Sequence, residues 1–83
     1  MPMEMTEVFR RVQDIFREVF EKPDMLISTD TAPADIHDWD SLTHVLLISK
    51  IEKQFAVKFS LDDMLGFENV GDICNGVLNK QPR

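Results

Sequence analysis

Asp40-Ser41-Leu42 sets a primary hydroxyl where an acidic stretch gives way to an amphipathic one. A serine at a helix start can accept a transferred group when another molecule removes its proton, so a resident base is not required. The helix N-terminus favours an attached phosphate. The nearby aspartates oppose that effect, although they can hold a magnesium ion or a basic partner. A second chemistry comes from His44. It follows Ser41 by three positions, close enough to meet it on one helix face, and Asp38 or Asp40 would complete a Ser-His-Asp set. That reading is disfavoured, because the chain has no glycine-rich loop to build an oxyanion hole and is very small for a substrate cleft. A third chemistry, a metal held by His37, His44 and neighbouring aspartates, lacks a tight ligand pattern. His44 projects among apolar residues, so it is expected to be a hydrogen-bonded histidine at the core edge.

The elements that position these residues are legible from periodicity. Met5 to Phe20 carries a helical pattern in which Met5, Val8, Phe9, Val12, Ile15, Phe16, Val19 and Phe20 share one face. Pro2 or Thr6 marks its start, and Lys22-Pro23 ends it, since the residue before proline is pushed out of helical geometry. Asp24 to Asp40 reads as a long loop, pinned to the core by Met25, Leu26, Ile27 and Ile36. No Lys or Arg occurs from Pro23 to Ser49, while Asp24, Asp30, Asp35, Asp38 and Asp40 all do. A loop of this length in a small domain is usually functional or disordered.

The second helix is predicted from Ser41 to Phe55, with Val45, Leu47, Ile48, Ile51 and Phe55 on its buried face. With Leu42 set at 0°, these residues span about 140° to 300°, whereas Leu46 falls at about 40°. Leu42 and Leu46 therefore stack one turn apart on the side away from the core and suggest a docking patch. Ala56 to Phe59 is expected to be an extended connector that sends Val57 and Phe59 inward. Ser60 opens a short helical turn that ends by Gly66, and Met64 on it is placed with the docking patch. Asn69 caps a last helix, with Asp72 in its first turn and Val70, Ile73, Cys74, Val77 and Leu78 facing inward. Gly71 and Gly76 each weaken that helix by roughly 1 kcal/mol relative to Ala, and the stretch from Asn79 onward is expected to fray. Trp39 is expected to pack the loop against the second helix.

The 83 residues suit one small domain, 1–83 with a core of about 5–80. A formal net charge of -6 argues against nucleic acid and favours partners with basic patches. One cysteine excludes an intramolecular disulfide and a multi-cysteine zinc site. No apolar run approaches the roughly 20 residues of a membrane span, and no signal peptide is visible, so a cytoplasmic monomer is the simplest expectation.

Taken together, Asp40-Ser41-Leu42, the apolar spacing through Phe55, Val57-Lys58-Phe59, the turn at Asp62-Asp63 and the helix start at Asn69-Val70 resemble the acyl carrier protein family over almost the whole chain. The resemblance implies an all-α, four-helix acyl-carrier-type bundle, with three main helices, one short helix and a long first loop. It also implies that Ser41 receives 4'-phosphopantetheine from coenzyme A through a phosphopantetheinyl transferase. The arm would then hold acyl groups as thioesters for acyl-loading, condensing or acyl-transfer enzymes, with Asp40 and Leu42 at positions those partners use and no catalysis by the chain itself. Two departures stand out. Trp39 precedes the Asp-Ser pair where fatty-acid carriers usually have a small residue. The second helix, richly acidic in those carriers, here shows Leu46, Ser49, Lys50 and Lys53, with Glu52 the only acid after Ser41. Both fit a stand-alone carrier for a specialised lipid, polyketide or polysaccharide pathway. A peptidyl or aminoacyl carrier is the nearest alternative, and an unmodified helical interaction module the alternative from another class.

Overall fold

The computed structural model describes residues 4–80, which excludes Pro2 as well as the last three residues. Among the described residues four helices follow in order, α1 (Met5–Val19), α2 (Ser41–Phe55), α3 (Leu61–Gly66) and α4 (Val70–Lys80), with a 3-10 turn at Pro33–Asp35. No strand occurs among the described residues, so Val57-Lys58-Phe59 is the extended connector expected of it. The fold is all-α, with three main helices and one short one.

The core forms where α1 packs against both α2 and α4. Val8, Val12, Ile15 and Phe16 on α1 meet Leu47, Ile48 and Ile51 on α2 and Val70, Ile73 and Val77 on α4, all buried. The expected inner face of α1 holds, with Met5, Phe9 and Val19 packed at its margins. The end of α1 has a different cause from the one predicted. Glu21 adopts a left-handed backbone (φ 55°), and the Lys22 N–H reaches the Arg17 carbonyl at 3.0 Å. That closing bond satisfies a carbonyl the helix would otherwise leave open, and Pro23 only follows it. Glu4 stands at the N-cap of α1 and makes no side-chain cap. At the other end of the chain, α4 continues through Asn79 and Lys80, where fraying was expected.

The long loop is built into the bundle. Arg17 Nε donates to the Met25 carbonyl (2.8 Å), and the Ile27 N–H donates to Gln13 Oε1 (3.0 Å). Farther along, the loop supplies carbonyls to the open start of α4: Thr31 accepts from the Val70 N–H at 2.9 Å and Thr29 from the Gly71 N–H at 2.8 Å. Asn69 Oδ1 accepts from the Asp72 N–H at 2.8 Å, the cap expected of it. Three N–H groups that a helix start leaves without partners are thereby satisfied. Met25, Ile27 and Ile36 pack on the core, but Leu26 does not pin the loop. It is 81% exposed, as the alternation of an extended segment dictates for a residue between two inward neighbours.

Gly76 has a packing role that offsets its poor helix propensity. A Cβ there would stand 2.9 Å from the Phe67 ring and 3.2 Å from Phe59. These two rings pack edge to face, 5.2 Å apart, against the bare backbone of α4.

Candidate functional site

Ser41 is the first residue of α2, and its position is set by a reciprocal cap. Asp40 Oδ1 accepts the Thr43 N–H at 3.0 Å, and Thr43 Oγ1 accepts the Asp40 N–H at 2.8 Å. The Thr43 hydroxyl in turn donates to the Asp38 carbonyl at 2.8 Å. The Thr43 backbone N–H, with smaller contributions from other nearby donors, holds the Asp40 carboxyl below its ordinary value. Asp40 and Thr43 are thus mutually engaged. The Ser41 hydroxyl between them bonds to none of the described residues and is exposed. Thr43 was not singled out from the sequence, although the Asp-x-x-Thr spacing is a cap signature that would have found it.

Beside Ser41 lies an open, mainly apolar groove of about 340 Å³, lined by Pro33, Trp39, Asp40, Ser41, His44, Met64, Leu65 and Phe67. It joins the loop, α2 and α3. Of the residues predicted around Ser41, the structure brings Asp40 and Met64 into this groove, with Met64 half-buried. Leu42 and Leu46 do not line it; they stand on the outer surface of α2, 72% and 47% exposed. Val45 is corrected: it is 51% exposed and belongs with them, not with the core. Leu61 and Leu65 on α3 are also exposed, and Leu65 lines the groove. Their spacing of four on a short helix was the signal available for them.

His44 is the hydrogen-bonded core-edge histidine expected. Its Nδ1 accepts from Trp39 Nε1 at 3.1 Å, and its Nε2 lies 3.0 Å from the Met64 carbonyl. Both ring nitrogens are occupied, so His44 has none left to take a proton from Ser41, which removes the hydrolase reading. Trp39 is buried and packs on α2 as expected, stacked on the His44 ring at 6.0 Å, and it also meets α1, edge-on to Phe16 at 5.1 Å. His37 is exposed, and no group of three or more potential metal ligands gathers among the described residues. Cys74 is buried in the core, and desolvation pushes its thiol up to about 11.

A helical bundle that offers a free serine hydroxyl at a helix start, beside an apolar groove and without a base to activate it, is suited to carrying a group made and moved by others. Comparison with known proteins agrees. The family described as the phosphopantetheine attachment site matches residues 10–77. Acyl carrier proteins from two strains of Borreliella burgdorferi are each 29% identical over 79 residues, covering 95% of this chain and 99% of theirs. The solution structure of a holo acyl carrier protein from Geobacter metallireducens superimposes with a TM-score of 0.82 at 34% identity, covering 88% of this chain and 84% of that one. The chain belongs to the phosphopantetheine-attachment family and is an acyl carrier protein, a carrier of a phosphopantetheine group and not an enzyme.

Proposed function

We propose that Ser41 is the attachment point, and that 1–83 acts as a single carrier domain. The observation that carries this reading is the Ser41 hydroxyl itself, exposed and uncommitted at the first residue of α2 while both flanking polar side chains are locked in the cap. The residues fit the group. The helix start tolerates a phosphodiester, and the groove beside Ser41 offers apolar surface to the arm and what it carries. In the transfer, the Ser41 oxygen attacks the pantetheine-bearing phosphorus of coenzyme A. A serine phosphodiester forms, the bond to adenosine 3',5'-bisphosphate breaks, and the serine proton passes to the transferase. The thiol at the end of the arm then supplies the thioester chemistry.

Partner enzymes are proposed to read Asp40 together with the exposed Leu42 and Leu46, and Met64 at the groove. The character of α2 supports a specialised lipid, polyketide or polysaccharide pathway. Its one acid after Ser41, Glu52, turns its carboxylate to the Phe59 N–H (2.8 Å), and Lys50 pairs with Glu18 at 2.8 Å. The outer surface therefore presents leucines where a richly acidic helix would present charge. A reducing, cytoplasmic setting is consistent with the single free, buried Cys74.

The test is intact mass after incubation with coenzyme A, magnesium and a broad-specificity phosphopantetheinyl transferase, with Ser41→Ala alongside. One arm on the wild type and none on the variant is the expected result. An arm on the variant would move the site elsewhere, and none on folded wild type would count against Ser41 as a substrate for such a transferase.

A further inference from the structure

The inner wall of the groove is closed by a polar bridge that ties together three separate parts of the fold. An indole N–H can only donate and a backbone carbonyl can only accept. The contacts of 3.1 Å from Trp39 to His44 Nδ1 and 3.0 Å from His44 Nε2 to the Met64 carbonyl therefore fit together only for a neutral His44 with its proton on Nε2. The same Met64 carbonyl takes the Phe67 N–H at 3.4 Å, so the imidazole is fastened to the C-terminal end of α3. That helix has six residues, none of them buried. Its other side-chain ties lie at its far end and its rim: the Ser60–Asp63 cap and the Lys80–Asp63 pair at 3.5 Å. Behind the bridge, Trp39 stands edge-on to the fully buried Phe16.

An alkyl chain entering from Ser41 thus meets the indole and imidazole before it can reach the core. To pass deeper, it would have to part His44 from Met64 or from Trp39. The first would leave the imidazole Nε2–H, and the second the indole N–H and Nδ1, without partners in a space filling with hydrocarbon, which is costly because neither water nor the chain replaces those bonds.

We propose that His44 is a specificity-determining residue: the Trp39–His44–Met64 bridge keeps the groove shallow, so this carrier displays short or polar acyl groups at its surface and does not draw a long alkyl chain into the bundle. The proposal rests on the carrier reading of Ser41.

The experiment loads wild type, His44→Ala and Trp39→Phe with acetyl- or octanoyl-phosphopantetheine from the matching coenzyme A thioesters. Intact mass first verifies one arm per chain. Cleavage of each thioester by hydroxylamine is then timed, normalised to the free acyl coenzyme A. A chain drawn into the protein carries its thioester out of water and slows the reaction, whereas one lying outside does not. The expected result is acetyl and octanoyl rates within about twofold of each other on wild type, and octanoyl protection of about fivefold or more on both variants with acetyl unchanged. Loss of structure would shift both acyl groups equally, so the ratio reads the bridge alone. Trp39→Phe keeps an aromatic ring beside Phe16 while removing the donor and part of the indole's volume, and it stands as the test should His44→Ala fail to fold. Octanoyl protection already present on wild type, or absent from a folded Trp39→Phe, would overturn the proposal. A folded wild type that accepts neither arm would overturn the carrier reading instead, and mass separates that result from the others.

Discussion

The two faces of α2 are made of the same kind of residue and do different work. Leu47, Ile48, Ile51 and Phe55 are buried on the side that meets α1, while Leu42, Val45 and Leu46 lie open to solvent. Hydrophobicity alone does not distinguish them. The difference lies in what covers each face: the long helix α1 packs on the inner one, whereas α3, short and without a buried residue, leaves the outer one bare. A helix that supplies one wall of the core thus also displays the surface beside Ser41.

The contrast can be broken most strongly by exchanging cost between the faces. Ile51→Ala is expected to destabilise the fold by about 2 to 5 kcal/mol, because it opens a cavity that the neighbours fill only in part. Leu46→Asp should change stability by no more than about 0.5 kcal/mol, as surface substitutions do, while impairing transfer to acyl-handling partners. Urea unfolding of both, with transfer assays of the second, checks the pair. A Leu46→Asp variant that unfolds as readily as Ile51→Ala would place Leu46 in the core.

A smaller effect sharpens the comparison at the far end of the same helix. Ala56 closes α2 in a left-handed conformation, φ 56°, and the Val57 N–H bonds back to the Glu52 carbonyl at 3.1 Å. A side chain costs roughly 1 to 2 kcal/mol in that region, part of which glycine returns through its looser unfolded chain. Ala56→Gly should therefore raise stability by about 0.5 to 1 kcal/mol, measured as a shift of the denaturation midpoint at constant slope.

The smallest expected effect concerns the caps that frame the outer surface. The carboxyls of Asp40 and Asp63 are both held below their ordinary value of 3.8, Asp40 chiefly by the Thr43 N–H and Asp63 chiefly by the Ser60 N–H. A depressed carboxyl stabilises fully above its ordinary value, and that stability is lost as pH falls through the depressed one. Asp40→Asn retains a capping oxygen but cannot titrate. The gap in melting temperature between wild type and Asp40→Asn should narrow as pH drops below 3.8. A gap constant across that range would show that the charge contributes nothing to the cap.

Much of this was legible in the sequence because it is local. The three long helices follow from apolar period, α3 from Ser60 and the acids after it, and Ser41 from its position at the joint. Val45 was misplaced because, at about 300°, it stands at the edge of the predicted inner sector. Whether an edge residue is covered depends on the size of a neighbour elsewhere in the chain. Leu26 was misplaced because every apolar residue of the loop was turned inward, whereas in an extended run alternate residues face out. The bridge through His44 could not be read at all: it joins positions 39, 44 and 64, and only the folded chain brings the Met64 carbonyl to the ring.

Trp39 gives the molecule an optical property of its own. It is the only tryptophan, and the chain has no tyrosine, so the near-ultraviolet emission comes from one indole whose N–H is bound to His44 and whose ring borders the groove. The colour and lifetime of that emission therefore report the groove without any label, and each cargo that enters or avoids it leaves a signature in the light the protein gives off.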